Sequence, residues 1–397
     1  MSKLEPTNEA SAMQKEISAI AEQGGGRATK VEQLIQQYCP DGVEYKKLED
    51  CCQILDNKRK PITKGARVAG EYPYYGANGV QDYVANYIFD GKYVLVGEDG
   101  SVITPSGTPV VNWAEGKIWV NNHAHIISEK KGVLLRYLFH YLQTINITPL
   151  IHGNIPKLTG GDFRALTIPV PPLPVQEEIV RILDTLTELQ AELQAELQKR
   201  LQQYNYYRDN ILSFEGRTDI EWKKLGEITT ILRGKRLIKS QLSNDKPYAV
   251  YHGGLEPLGY YESANRTANT TMIINVGASA GTIGYSKEDF WSSDGCYCVE
   301  HSNLFDDRYI YYVLQTQEQQ LKSKVRVAGI PTLDRPVVED LLVPIPPLAA
   351  QQRIVNILDR FDKLTTDITA GLPAEIEARR KQYEYYRDQL LTFKQKA

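Results

Sequence analysis

The sequence predicts a mixed α+β protein made by tandem duplication. Two α/β globular heads are separated by long helices, which pair antiparallel as a coiled coil about a pseudo-two-fold axis. Three observations predict this. YNYYRDNILSF (Tyr204–Phe214) returns as YEYYRDQLLTF (Tyr383–Phe393), offset by 179 residues. IPVPPLPVQEEIVRILD (Ile168–Asp184) returns as VPIPPLAAQQRIVNILD (Val343–Asp359), offset by 175. Between each proline cluster and each tyrosine phrase, apolar residues recur at three- and four-residue steps, the mark of an amphipathic helix.

The elements follow in order. Residues 1–41 are expected to form an N-terminal extension and lead-in helix, in which EQGGGRATK reads as a flexible linker. Residues 42–167 form the first head, with strand-and-turn segments such as KYVLVG. Residues 168–214 form a helical region. Its prolines (Pro169, Pro171, Pro172, Pro174) cannot lie inside a helix and read as an extended lead-in. From Val175 to Phe214 a helix of about 40 residues would run roughly 60 Å. Ile179, Leu183, Leu186 and Tyr204 lie on its apolar stripe, with Tyr207 and Phe214 in the tyrosine phrase at its end. Residues 215–342 form the second head and residues 343–397 the second helical region. Its packing positions are Ile354, Leu358, Tyr383, Tyr386 and Phe393, and Gly371-Leu372-Pro373 should break the helix. The tyrosines, at helical spacing beside leucine and phenylalanine, read as packing residues rather than a base-stacking platform.

Weaker repetition extends into the heads. EYKKLEDCCQILDNKR from Glu44 aligns with EWKKLGEITTILRGKR from Glu221, LRYLFHYLQT with DRYIYYVLQT, and GNIPKL with AGIPTL. The middles of the heads have no close counterparts in sequence. A duplicated frame carrying two different heads suggests that two different things are read.

Charge sharpens the ligand class. The net charge is −3, which excludes a uniformly basic nucleic-acid binder but not local basic patches. Lys58, Arg59, Lys60, Lys64 and Arg67 form one run without an acid. Arg233, Lys235, Arg236 and Lys239 form another. Lys58-Arg59 and Lys235-Arg236 share an offset of 177. Such side chains neutralise phosphates, and arginine also reaches guanine edges. Asn78, His252, Lys324 and Arg326 complete the candidate DNA-binding set. A solvated basic loop is the plain alternative for each run.

Composition bounds the remainder. Hydrophobic residues make up 42% and charged residues 24%, as in ordinary soluble globular proteins. No eighteen-residue apolar run or signal-peptide core is present, so a cytoplasmic location without membrane contact is expected. Five cysteines lack zinc-site spacing and read as reduced thiols. His123 and His125 would share a strand face but are too few for a metal site. GEDGSVITPSG from Gly97 lacks the Lys-Ser/Thr ending of a phosphate-binding loop. Both Pro-Pro pairs precede leucine (Leu173, Leu348), so the Asn/Asp-Pro-Pro-aromatic pattern of amino-methyltransferases is missing.

The paired PPL…Q…IV.ILD and Q.Y..YYRD.LL.F blocks, alternating with two dissimilar heads, resemble the specificity subunit of type I restriction–modification systems. The resemblance covers nearly the whole chain from about Gly42. It implies two target recognition domains, each reading one half of a bipartite, asymmetric duplex site. It implies that the helices separate the heads and dock two adenine-methylating subunits, and that restriction subunits join through the complex. This chain would be non-catalytic and hold no cofactor or metal. S-adenosylmethionine, ATP and magnesium would be bound by partners. Two rivals remain: a self-contained DNA-modifying enzyme, tested by methyl transfer from the purified chain alone, and a coiled-coil scaffold, tested by salt-dependent DNA binding.

The repeat ELQAELQAELQK (Glu188–Lys199) reads as good helix sequence, and under the resemblance as a ruler. Each four-residue unit adds about 6 Å of helix. Deleting Glu188–Ala191 is expected to shorten the preferred gap between half-sites. Mapping of methylated sites checks this, and an unchanged gap refutes the ruler.

Overall fold

The computed structural model describes residues 30–151, 154–214, 216–367 and 370–396. The principal helices are α1 (Lys30–Tyr38), α2 (Leu135–Leu142), α3 (Gly160–Ala165), α4 (Leu173–Ser213), α5 (Asp307–Thr316), α6 (Leu348–Thr366) and α7 (Leu372–Leu390). The chain forms two compact units, residues 1–192 with 377–397, and residues 193–376. The division falls within α4, whose amphipathic stripe contributes to both cores.

In the first unit, β1 (Glu44–Lys47) pairs antiparallel with β8 (Thr167–Val170), joining the start of the head to its end. Between them lies a six-stranded sheet. Its strands are β2 (Gln53–Ile54), β3 (Ala69–Gly76), β4 (Gly79–Val84), β5 (Phe89–Gly97), β6 (Val111–Val120) and β7 (Ala124–Ser128), ordered β2-β7-β5-β6-β3-β4. Only β3 and β6 run parallel. Val94 and Val96 of β5 share a core with α2, the first turns of α4 and the last turns of α7.

Polar bonds fix that core. Tyr137 donates to the Pro169 carbonyl at 2.9 Å, and Arg136 Nε donates to Asp184 at 2.7 Å. Gln176 donates to the carbonyls of Pro171 and Gly132 and accepts from the Leu134 amide. Buried His140 lies 2.7 Å from Asp184 through Nε2 and 3.1 Å from the Tyr383 hydroxyl through Nδ1. The last residues return to the beginning of the head. The Val43 amide donates to the Lys394 carbonyl and the Lys396 amide to the Val43 carbonyl. Gly42, at φ +108°, permits this approach, because a Cβ there would lie 2.7 Å from the Lys394 carbonyl oxygen.

The second unit repeats these parts. β9 (Glu221–Lys224) pairs with β17 (Leu342–Ile345). Tyr309 donates to the Pro344 carbonyl, Arg308 to Asp359 at 2.9 Å and to Asp362 at 2.6 Å, and Tyr312 to Asp359 at 2.5 Å. Gln351 takes the place of Gln176, donating to the Pro346 and Leu304 carbonyls and accepting from the Asp306 amide. Tyr204, the counterpart of Tyr383, reaches Gln315 at 3.1 Å. The strands are β10 (Ile231–Arg233), β11 (Tyr248–Tyr251), β12 (Gly259–Tyr261), β13 (Thr270–Ile274), β14 (Ile283–Ser286), β15 (Trp291–Ser292) and β16 (Cys296–Val299). They form two sheets, β10-β16-β13-β14 and β12-β11-β15.

The middles of the heads, dissimilar in sequence, therefore share one topology. β2-β7-β5-β6 matches β10-β16-β13-β14, and β6-β3-β4 matches β15-β11-β12, including the single parallel pair. The ten-residue strand β6 is represented by two short strands, β14 and β15. Strands this short leave too little alternation for an alignment to find.

Pro174, expected in the extended lead-in, lies instead in the first turn of α4, where a proline costs no helical hydrogen bond. α4 runs from Leu173 to Ser213, and the break falls between Thr366 and Leu372. Ile179, Leu183, Leu186, Tyr383, Tyr386 and Phe393 pack in the first core. Tyr204, Phe214, Ile354 and Leu358 pack in the second. Tyr207 stacks on Phe361 at 5.8 Å but keeps its other side exposed.

His140 makes the first unit acid-sensitive. Burial lowers its proton affinity and outweighs the pull of Asp184. The neutral ring then donates from Nε2 to Asp184 and accepts from Tyr383 at Nδ1. A folded-state pKa below the ordinary value of 6.5 gives stability that is present above that value and lost as pH falls below it. Acidification from pH 7 to 5 is expected to lower the amide protection factors, taken relative to the intrinsic exchange rate at each pH, in residues 377–396. His140→Tyr, which copies Tyr312, is expected to flatten that dependence. An equal dependence in both proteins would show that His140 is not its source.

Candidate nucleic-acid interface

A tryptophan latches the basic loop in each head. Trp119 Nε1 donates to the Lys60 carbonyl at 2.6 Å, and the Lys60 amide donates to the Val120 carbonyl. Trp291 Nε1 donates to the Lys235 carbonyl at 2.7 Å, and the Lys235 amide donates to the Ser292 carbonyl. The structural counterpart of Lys235 is therefore Lys60, not Lys58 as the offset of 177 suggested. The two basic loops are equivalent, but their register differs by two residues.

The basic side chains sort into two groups. Arg59 is turned inward. It pairs with Glu98 at 2.6 Å, lies 3.7 Å from Asp56 and donates to the Ala124 carbonyl at 2.6 Å. Arg67 lies over the Tyr74 ring, 4.2 Å from its centroid, and donates to Asp82 at 3.2 Å. Both guanidiniums hold the loop rather than extend from it. Lys58, Lys60 and Lys64 are exposed, as are Arg233, Lys235, Arg236 and Lys239. Of these, Arg233 donates to the Asp294 carbonyl. Exposed Lys324 and Arg326 lie on the loop before Thr332, and Arg326 pairs with Asp334 at 2.8 Å. His252 is half-buried, 3.2 Å from Ser293.

Asn78 stands exposed at the β3–β4 hairpin tip, beside a cleft of about 550 Å³. Gln81, Asp99, His123, Ile155 and Lys157 share that cleft. Asparagine and glutamine amides can pair with adenine, and a carboxylate can accept from cytosine. His123 is exposed and bonded to Asp99. His125 is buried, stacked on Phe163 at 4.2 Å and bonded to Asp56 at 2.7 Å. The two imidazoles do not act together. Asp56, Glu98 and His125 form a cluster of potential metal donors, but the Arg59 guanidinium supplies a cation there. Burial opposes ionisation of Asp56, yet the His125 bond, the Ile126 amide and nearby positive charge hold its carboxyl below the usual value.

One pair of residues escaped the sequence reading. The loop before β8 bonds to the sheet through Gly100 N to the Pro156 carbonyl and Leu158 N to the Glu98 carbonyl. Its counterpart uses Gly277 N to the Pro331 carbonyl and Leu333 N to the Asn275 carbonyl. Each loop presents an isoleucine to solvent: Ile155 is 69% exposed and Ile330 70%. The GNIPKL/AGIPTL repeat carried this signal, but it reads equally well as scaffold.

Residues 40–203 and 218–378 each match the type I restriction modification DNA specificity domain. The chain belongs to this family. It is 37% identical over 378 residues to a putative type I restriction enzyme specificity subunit of Haemophilus influenzae, covering 88% of this chain and 96% of that one. It is 32% identical over 290 residues to the EcoR124I/EcoR124II specificity subunit of Escherichia coli, covering 66% and 71%. Its fold is similar to the crystal structure of a type I restriction–modification S subunit from M. genitalium. The TM-score is 0.63 at 17% identity, covering 88% of this chain and 96% of that one. The protein is thus a non-catalytic DNA-recognition subunit of mixed α+β fold. No described helix is long and apolar enough to cross a membrane.

Each alanine substitution at Lys60 or Lys235 is expected to lower the slope of log affinity against log salt by about 1 if the lysine neutralises one phosphate. Arg59→Ala is expected instead to destabilise the first head by about 1–3 kcal/mol, because it removes the guanidinium from half-buried Glu98 and Asp56 and from the Ala124 carbonyl while Lys157 and His125 stay in place. Anisotropy titrations across a salt series and thermal melts separate the two effects.

Proposed function

We propose that each head reads one half of a bipartite, asymmetric duplex site, and that the helices set the gap and dock two methylation subunits. The observation that carries this reading is one strand topology and one tryptophan latch used twice, beneath tips of different chemistry. Past the equivalent residues Tyr75 and Tyr251, the short turn that carries Asn78 in the first head is replaced in the second by a longer connection, residues 252–258. Equal frames with unequal tips suit a site whose halves differ. The exposed lysines and arginines would engage phosphates and so position each head, while the hairpin tips and the Ile155 and Ile330 loops would face bases. Arg59 and Arg67 support the first loop from within.

Catalysis then belongs to the partners. Methylation subunits would bring S-adenosylmethionine, and restriction subunits would bring ATP and magnesium and join through the complex. The test is co-expression with the methylation subunit in a methylation-free host, followed by genome-wide mapping of modified adenines. One split, asymmetric motif with a fixed gap is expected. Replacing Asn78 is expected to relax one half of it only. A palindromic, uninterrupted motif would overturn the two-half reading.

A further inference from the structure

In the first unit a groove beside the lead-in to α4 is closed by α1. Val31 is fully buried, and Leu34 and Ile35 pack on the same core. Lys30 pairs with buried Glu178 at 2.8 Å, where the bonds from Arg181 and Lys30 overcome the effect of burial and lower the carboxyl's pKa. Val175, Ile179 and Ile182 of α4 and Leu390 and Phe393 of the terminal phrase belong to that core.

The two offsets place the counterparts in the second unit at Ala350, Ile354 and Ile357 of α6, and at Ile211 and Phe214. These residues line an open groove of about 380 Å³. No described helix takes the place of α1. Ile182 is 8% exposed, whereas its counterpart Ile357 is 45% exposed. The position of Glu178 is held by Arg353, which is exposed and has no ion-pair partner among the described residues.

We infer that this groove seats an amphipathic helix of the methylation subunit, with apolar residues at the spacing of Val31, Leu34 and Ile35 and a carboxylate where α1 carries Lys30. The inference rests on the partner reading above and adds the site and its charge. The first unit shows how such a groove is filled: by a short helix with one flanking ion pair. The charge at that pair is reversed in the second unit, so the arriving helix must be reversed too. A second copy's α1 does not fit, since it would set Lys30 against Arg353.

The test uses stapled peptides of residues 30–38, unaltered or with Lys30→Glu, and the full-length chain. The Lys30→Glu peptide is expected to bind about fivefold more tightly, the size of one partly exposed charge pair. Arg353→Glu is expected to invert that preference, and Ile357→Glu to abolish both interactions. Equal binding of the two peptides, or binding indifferent to Ile357→Glu, overturns the inference. Preference of the unaltered chain for the Lys30 peptide points to a second copy and also overturns it. With the purified methylation subunit, slower amide exchange in residues 348–357 is expected, and weaker assembly for Arg353→Glu but not for Lys363→Glu. A complex that forms without these effects removes the groove and leaves the partner reading standing. No complex at all removes both.

Discussion

The apolar stripe of α4 is the constraint on which the rest depends. Forty-one residues of amphipathic helix cannot be buried by one head. Ile179, Ile182, Leu183 and Leu186 are buried in the first core, and Tyr204 and Leu212 in the second. Each core therefore needs a second helix segment, and each obtains it from a remote part of the chain. The first takes the tyrosine phrase of α7, bound through Tyr383 to His140. The second takes α6, whose Asp359 and Asp362 receive Arg308. The duplication is thereby closed in two different ways. After Phe214 the tyrosine phrase runs covalently into the second head. After Phe393, main-chain bonds tie Lys394 and Lys396 to Val43, and Tyr45 donates to the Phe393 carbonyl.

The helical frame was legible in the sequence because its signals are dense. Proline clusters fix where the helices start, the Gly-Leu-Pro triplet fixes the break, and a stripe of period near 3.6 survives over many turns. The sheets were much less legible. Strands of two to five residues in the second head carry too few alternations. The splitting of one long strand into β14 and β15 displaces the register of whatever follows. The Trp119 and Trp291 latches expose the kinship, but their signal is the hydrogen bond from indole to carbonyl, which a lone tryptophan in a sequence does not announce.

The candidate interface was legible in part. A run of basic residues shows where positive charge is available. It does not show where that charge is already neutralised. Glu98 and Asp82 lie 39 and 15 residues from the arginines they engage. Local counting therefore placed Arg59 and Arg67 with the lysines beside them. Geometry separates them by a simple rule. In the first head arginine, with a planar fork and five donors, is drawn into internal carboxylates, carbonyls and aromatic faces while lysine keeps its charge in solvent; in the second head Arg233 and Arg236 stay exposed with the lysines.

This division has a consequence for how the two heads can differ. Residues that fix the loops act from beneath: Trp119, Trp291, Arg59 and the carbonyl bonds of the Pro156 and Pro331 loops. The Asn78 side chain takes part in none of these bonds. Asn78 is exposed, and the second head carries a longer connection, residues 252–258, in its place. Substitution at Asn78 therefore leaves the bonds that fix the first head in place. Substitution beneath changes stability in both bound and free states. A frame duplicated whole, with its internal bonds kept in both copies, leaves the connections above it free to differ in length and sequence.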